Sequence, residues 1–173
     1  MILRRATDTD AEAIHAVHSA AFHDPAGGGE VAEARLVDEL RADADLIPAL
    51  SLVAERDGVV VGHACCSPGR LGEDQASTVG FGPLGVLPEF QRGGVGSALV
   101  HATLAAADAL GFAAVVLLGA PDYYSRFGFV LASTLGITPP VPDWAPHFQA
   151  RTLTAHHPSV RGPFRYSPAF DRL

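Results

Sequence analysis

The chain has 173 residues, 48% of them apolar and 18% charged, and its formal net charge is -7. A chain of this length buries about 70% of its unfolded surface without disulfides or metals, so a single domain over residues 1–173 is predicted. The negative charge argues against nucleic acid as a partner, because a nucleic-acid-binding surface is basic.

The first quarter of the chain predicts one strand and two helices. Residues 2–5 form the strand, and the stretch from Thr9 to Glu12 fits a capping box that begins a helix. The glycines at 27–29 end that helix. An apolar stripe at helical spacing predicts the second helix over residues 30–42.

Three strands are predicted next. Residues 51–55 and 59–67 flank Asp57-Gly58, a dipeptide typical of hairpin turns. The polar stretch 70–75 is typical of a turn. Residues 77–86 form the third strand, in which two glycines and a proline indicate a bulge or bend, at Gly80, Gly82 and Pro83.

A helix and a buried strand follow. Apolar residues recur at helical spacing from Val95 to Leu110, and Gly111 suits the position just after a helix. The continuous apolar run 112–118 predicts a strand buried on both faces. Because a helix connects this strand to the one before it, the two are expected to run parallel.

The C-terminal part predicts a short helix and further strands. Residues 122–127 have a helical pattern, and the segment 129–173 holds seven of the thirteen prolines. Strands near 147–153 and 163–166 are expected to complete the sheet, with irregular loops between them.

The cysteines and the N-terminus point to the cytoplasm. Cys65 and Cys66 are adjacent, and neighbouring strand side chains point to opposite faces, so no disulfide is expected. Residues 1–5 have no signal-peptide core, and the apolar run 112–120 is too short to span a bilayer. A reducing, cytoplasmic location and no membrane partner are therefore predicted.

Residues 84–99 are the most informative segment. They read as a strand, a turn, a glycine-rich loop and the first turn of a helix, an order that aims several backbone N–H groups at one anion. The lysine of a P-loop is missing after Gly96, and Leu99 stands where a dinucleotide fingerprint needs glycine. What remains is Gln91-x-x-Gly94-x-Gly96, and a helix entry without a ligand is the alternative.

This pattern, with the strand and turn before it, resembles the phosphate-binding motif of the GCN5-related N-acetyltransferase (GNAT) family. A second segment, 119–129, resembles the family's closing motif, in which a tyrosine precedes a Gly-Phe pair by four residues. Tyr124 holds that place before Gly128-Phe129. The details of this segment are similar to the YhbS-like branch, although Ala120 stands where that branch usually has an acid.

The resemblance implies the GNAT fold, an α/β architecture with a mixed central sheet of about six to seven strands and about four flanking helices. It also implies a V-shaped splay between the fourth and fifth strands. Acetyl-CoA would be the acyl donor, with its pyrophosphate on the loop amides and its pantetheine arm in the splay. The implied donor-binding residues are Leu84, Gly85, Val86, Gln91, Arg92, Gly93, Gly94, Val95, Gly96, Ser97, Tyr124 and Arg126.

The implied reaction transfers an acetyl group to a primary amine of a small molecule or protein, by direct attack in a ternary complex. The Val86 N–H is the expected oxyanion donor, and Tyr124 is the expected acid or thiolate stabiliser, with a packing role as the alternative. A protonated amine needs a base, because its pKa is near 10.4. The candidates are Glu33, Glu73, Asp74 and His63, with ordered water as another carrier.

Other functions stay open. Since no base is evident, a non-catalytic acyl-CoA-binding or sensing module is the first alternative. A cysteine enzyme that uses Cys65 or Cys66 with His63 is the second. No metal site is expected, because the paired histidines lack the three or four convergent donors that a metal needs. Phe22 and Trp144 are packing residues or line the acceptor pocket, and a homodimer is one option.

Overall fold

The computed structural model describes residues 1–25, 29–72 and 75–172. Two of the base candidates, Glu73 and Asp74, and two of the glycines that were expected to end the first helix lie outside these ranges. The helices are α1 Ala11–Ala21, α2 Ala32–Ala42, α3 Val95–Ala109 and the short α4 Pro121–Tyr124. The strands are β1 Ile2–Arg5, β2 Leu52–Arg56, β3 Val59–Leu71, β4 Gln75–Val86, β5 Ala114–Leu118, β6 Val130–Leu131, β7 Ile137–Thr138, β8 Phe148–Thr152 and β9 Gly162–Arg165.

The described strands form a mixed sheet in the order β1-β2-β3-β4-β5-β8-β6, with β9 pairing the end of β3 and β7 pairing β9. Neighbours from β1 to β4 are antiparallel, and β4 and β5 are parallel, as the connecting helix predicted. The predicted mixed α/β sheet is confirmed. The two strands beyond the expected number, β6 and β7, have two residues each and carry no strand pattern long enough to recognise.

β4 leaves β5 partway along its length. The two strands pair at three positions only, Thr78–Ala114, Val79–Val115 and Gly80–Val116, although β4 continues to Val86. A bulge bends β4 at this point. Ala64 pairs with Leu84 and Cys66 pairs with Phe81, so two residue steps along β3 lie opposite three steps along β4. The predicted bend at Gly82 and Pro83 therefore opens the sheet.

Apolar cores lie on both faces of the sheet. On one face α3 packs so closely on β3 that a Cβ on Gly62 would lie 3.0 Å from the Val95 side chain and 3.1 Å from Leu99. On the other face α1 and α2 bury Ile14 and Val37 against the sheet. Close packing of this kind leaves α3 little freedom to shift, so its first turn is held at a defined distance from β4.

The turn predictions were mostly right. Asp57 and Gly58 have φ angles of 53° and 80°, as a tight hairpin requires, and Gly111 follows α3 with φ 79°. Two predictions were wrong. The capping box lies at Thr7, whose backbone N–H donates to the Asp10 carboxylate (2.7 Å), rather than at Thr9. The polar stretch 70–75 begins inside a strand, because β3 continues to Leu71 in order to pair with β9.

A chain of buried polar groups joins α1 to the sheet. His18 Nε2 lies 2.9 Å from His63 Nδ1, and His63 Nε2 lies 3.1 Å from the Ser51 hydroxyl. A Cβ on Gly85 would lie 2.8 Å from His18 Nδ1, so this glycine makes room for the imidazole. Burial lowers the pKa of His18 to about 3 and holds the pKa of His63 well below 6.5.

None of the described helices is long and apolar enough to cross a membrane. The cytoplasmic location and the single domain stay predictions.

The buried histidines predict an acid-sensitive fold. Their folded pKa values lie below 6.5, so the unfolded chain binds more protons as the pH falls under that value, and stability is lost. For His18 alone, linkage gives a loss of about 2 kcal/mol between pH 6.5 and 4.5. The His18→Gln variant should therefore lose a smaller part of its unfolding free energy over this interval, measured by urea unfolding.

The matched control is His147→Gln, an exposed histidine whose replacement should leave the pH dependence unchanged. Asp10 does not mask the effect, because the Arg4 guanidinium holds its pKa below the ordinary 3.8 and its contribution is lost at lower pH. An equal loss of stability in the parent chain and the His18→Gln variant would contradict this explanation.

Candidate functional site

A cleft of about 700 Å³ opens where β4 leaves β5. Nine of the residues predicted for the donor site line it: Leu84, Val86, Gln91, Arg92, Gly94, Gly96, Ser97, Tyr124 and Arg126. Three further residues complete the lining, Ala21, Phe22 and Tyr123. The fold thus brings the two sequence motifs, from the loop before α3 and from α4, to the same cleft.

Three predicted donor-site residues are not among the lining. Gly85 pairs with His63 of β3. Its missing side chain makes room for His18, which lies on the face of the sheet that α1 covers. The side chain of Val95 is buried in the core. Gly93 lies in the loop, where a Cβ would meet the Phe90 carbonyl at 3.4 Å. Only the backbone N–H groups of Val95 and Gly93 remain candidates for ligand contact.

The end of β4 turns its backbone toward the cleft. Leu87 N–H donates to the Val61 carbonyl (3.0 Å), which makes the opposed pair Gly62 and Val86 a non-hydrogen-bonded one. The N–H and C=O of Val86 therefore point away from β3, into the gap, and strand alternation directs those of Leu84 the same way. Gln91 Nε2 donates to the Val86 carbonyl (3.0 Å) and ties the loop to the strand.

The first turn of α3 faces the cleft with free donors. Gly94 is left-handed, with φ 85°, and no side chain caps the helix. The first bond within the helix runs from Ala98 N–H to the Gly94 carbonyl (2.9 Å), so the N–H groups of residues 95–97 have no partner inside the helix. Together with the helix dipole they form an anion site.

The cleft is positively charged although the chain carries a net charge of -7. Its lining includes Arg92 and Arg126, and no acidic side chain is among the described residues that form it. Arg126 stacks on Tyr123, with the guanidinium carbon 4.9 Å from the ring centre. A Cβ on Gly96 would lie 2.9 Å from the Tyr123 hydroxyl, so a side chain at this position would displace the end of that tyrosine in the cleft.

Tyr124 sits in a close-fitting slot. Its ring occupies the space beside Gly119, where a Cβ would lie 2.5 Å away, and it contacts the edges of Phe129 and Phe81. Within the described residues its hydroxyl has no hydrogen-bond partner. Burial, with a smaller effect from Tyr123, raises the pKa of Tyr124 above 10, so the hydroxyl stays protonated and is a donor.

A second, acidic cavity of about 360 Å³ borders the cleft. Phe22 lines both, and the acidic residues of the smaller cavity are Asp24, Glu30 and Glu33. Glu33 is therefore placed beside the cleft and not inside it. Positive and negative linings thus meet at Phe22, which separates the two cavities.

The structure argues against two other predicted roles. His63 is fully buried and both of its ring nitrogens have partners, so it is not an accessible base. Cys65 and Cys66 are also fully buried, and burial raises the pKa of Cys65 to about 12 and that of Cys66 well above 9.0. A thiol that is both inaccessible and protonated is not a nucleophile. Trp144 lines neither cavity.

No group of three or more histidine, cysteine or acidic side chains within the described ranges is arranged to hold a metal ion.

Comparison with known proteins places the chain among acetyltransferases. A family model described as the acetyltransferase (GNAT) family matches residues 12–129. The uncharacterized N-acetyltransferase YhbS of Escherichia coli K12 is 34% identical, with all of both chains covered, and YjhQ of the same strain is 32% identical over 91% of this chain and 87% of its own.

Two solved structures resemble this chain over nearly its whole length. A crystal structure of Escherichia coli YhbS in complex with CoA covers 99% of this chain and 92% of its own, at 34% identity and a TM-score of 0.90. A GNAT family acetyltransferase from Brucella melitensis in complex with acetyl-CoA covers 98% and 97%, at 36% identity and a TM-score of 0.80. The prediction of an N-acetyltransferase is confirmed, and the chain belongs to the GNAT family.

Proposed function

We propose that this chain transfers an acetyl group from acetyl-CoA to a primary amine in a ternary complex. The observation that carries the proposal is the convergence of the glycine loop, the gap-facing backbone of β4 and Tyr124 on one cleft. The complexes of the two similar proteins with CoA and acetyl-CoA support the choice of donor.

The donor would lie along the cleft with its pyrophosphate at the first turn of α3. The N–H groups of residues 95–97 and of the loop would donate to the phosphate oxygens, each bond contributing about 1.5–3 kcal/mol because the acceptor is charged. Arg92 and Arg126 add positive charge at the rim. The pantetheine arm would pair with the open edge of β4 at Leu84.

The acetyl carbonyl would then face the Val86 N–H. The amine nitrogen attacks the carbonyl carbon, and the oxygen that becomes negatively charged accepts a hydrogen bond from Val86. When the C–N bond has formed, the C–S bond breaks and its electron pair goes to sulfur. The Tyr124 hydroxyl donates to that sulfur and stabilises the thiolate, while the proton of the attacking nitrogen passes to a base.

The acceptor would enter from the acidic cavity. Its ammonium group is attracted by Asp24, Glu30 and Glu33, and it meets the thioester at the Phe22 boundary between the two cavities. Glu33 is the proposed base, directly or through water, because it is a carboxylate of α2 that faces this cavity. The separation of charge keeps the anionic donor and the cationic acceptor in different cavities.

Replacing Gly96 with alanine should weaken donor binding without weakening the fold. The new methyl group would push on the Tyr123 hydroxyl and hold phosphate away from the loop, so we expect the Kd for CoA, measured by calorimetry, to rise about tenfold or more. Alanine is the better helix former by up to about 1 kcal/mol, so the Tm should stay the same or rise.

The control is Ser97→Ala, which removes a hydroxyl and keeps the backbone N–H, and which should leave the Kd within about threefold. CoA affinity that is unchanged in Gly96→Ala would contradict the placement of the pyrophosphate.

Replacing Tyr124 with phenylalanine should lower kcat by about tenfold to a hundredfold, because the thiolate loses its donor. The measurement is release of the CoA thiol from acetyl-CoA with a panel of primary amines. Tyr123→Phe, a change of the neighbouring ring, should leave kcat within about threefold and act, if at all, on the KM for acetyl-CoA. Full turnover by Tyr124→Phe would contradict the role of this hydroxyl, and CoA binding without turnover on any amine would favour a sensing module.

Glu33→Gln should lower kcat/KM for the amine about tenfold while the KM for acetyl-CoA is unchanged, because it removes a charge and a proton acceptor from the acceptor side only. Glu12→Gln, an exposed change on α1, is the control and should have no effect. Equal kcat/KM values for the amine in Glu33→Gln and Glu12→Gln would contradict the role of Glu33 as the base.

A further inference from the structure

A further cavity lies outside the acetyl-transfer site. Its volume is about 780 Å³, and none of the residues that line it also lines the cleft. Tyr166 in its wall packs over Gly80, where a Cβ would lie 2.8 Å from the ring. Val79 and Phe81, on either side of Gly80, pack in the apolar core that contains Val95 and Leu99 of α3. Because successive strand residues face opposite sides of the sheet, Gly80 and the cavity lie on the other face.

One wall of this cavity is aromatic. The ring centres of Tyr166 and Phe170 are 4.3 Å apart in a stacked arrangement, and Trp144 meets Tyr166 edge-on at 6.4 Å. Trp144, Tyr166 and Phe170 are only partly buried, so their remaining surface faces the cavity. Such a wall suits a flat or large apolar group, and its ring faces also attract a cation.

Two arginines in the same cavity lie directly opposite each other. Arg70 of β3 and Arg165 of β9 are cross-strand partners, an arrangement that is destabilising for like charges unless an anion lies between them. Arg165 donates to the Gly72 carbonyl (2.7 Å), and neither guanidinium forms an ion pair with a described residue. A carboxylate bound by this pair would relieve the repulsion through charge-assisted bonds.

Two carboxylates line the cavity as well. Asp45 follows α2 and Asp171 lies in the C-terminal turn, and neither forms an ion pair with a described side chain. On the neighbouring surface the charges are paired, since Arg172 forms ion pairs with both Glu39 and Asp43. Among the described residues, the charged side chains of both signs in this cavity therefore form no ion pair, and they lie around an aromatic wall.

We propose that this cavity is a second ligand site, which takes an amino acid with an aromatic or large apolar side chain. Its carboxylate binds Arg70 and Arg165, its ammonium faces Asp45 and Asp171, and its side chain packs on the aromatic wall. This match of both charges to one zwitterion is what selects an amino acid over a simple amine or acid. The site does not depend on acetyl transfer.

Trp144 is the only tryptophan of the chain and lines this cavity, so its fluorescence is a probe of binding there. Its fluorescence should change saturably when L-phenylalanine is added to the full chain without any acyl-CoA. Phenylalaninamide, which lacks the carboxylate, and 3-phenylpropionate, which lacks the ammonium, should each bind about tenfold more weakly. No saturable change with phenylalanine, or equal affinities for all three compounds, would overturn the proposal.

Two variants separate the charged groups. Arg70→Gln should weaken phenylalanine about tenfold and leave phenylalaninamide unchanged, and Asp171→Asn should weaken phenylalanine and leave 3-phenylpropionate unchanged. Arg5→Gln, an exposed change on β1, is the matched control. Identical titrations for Arg70→Gln and Arg5→Gln would overturn the assignment of the carboxylate. Because the titration needs no turnover, its outcome is independent of the proposed acetyl transfer.

Discussion

The separation of β4 from β5 is the constraint on which the rest of the site depends. The two strands share only three paired positions, after which the bulge at Gly82 and Pro83 turns the end of β4 away. The backbone groups of Leu84 and Val86 are left facing a gap, and an open strand edge is a template for hydrogen bonding. The same bend brings the end of β4 to the first turn of α3, so the edge and the anion site share one cleft.

Charge is distributed to match this geometry. The chain is acidic overall, yet the described lining of the cleft contains two arginines and the free end of a helix. Three acidic residues, Asp24, Glu30 and Glu33, line the cavity beyond Phe22. In the proposed function, an anionic donor and a cationic acceptor would therefore be attracted to different sides of the same boundary, where the thioester and the amine would meet.

The parts of the site that are local in sequence were predictable. The strand, glycine loop and helix run from Leu84 to Leu99 in one stretch, and the tyrosine motif is equally compact, so the sequence alone predicts both motifs. Contacts between distant segments were not. Nothing near Tyr123 indicates that its hydroxyl meets Gly96, and nothing near Gly85 indicates that it makes room for His18, because these fits arise only when helices pack on the sheet. The acidic cavity depends on α1 and α2 meeting in the same way.

The decisive measurement is a crystal structure of this chain with acetyl-CoA. We expect the pyrophosphate on the N–H groups at the start of α3, the pantetheine arm in the gap between β4 and β5, and the acetyl oxygen within hydrogen-bonding distance of the Val86 N–H. Acetyl-CoA bound elsewhere, or an acetyl group directed away from Val86 and Tyr124, would contradict this expectation.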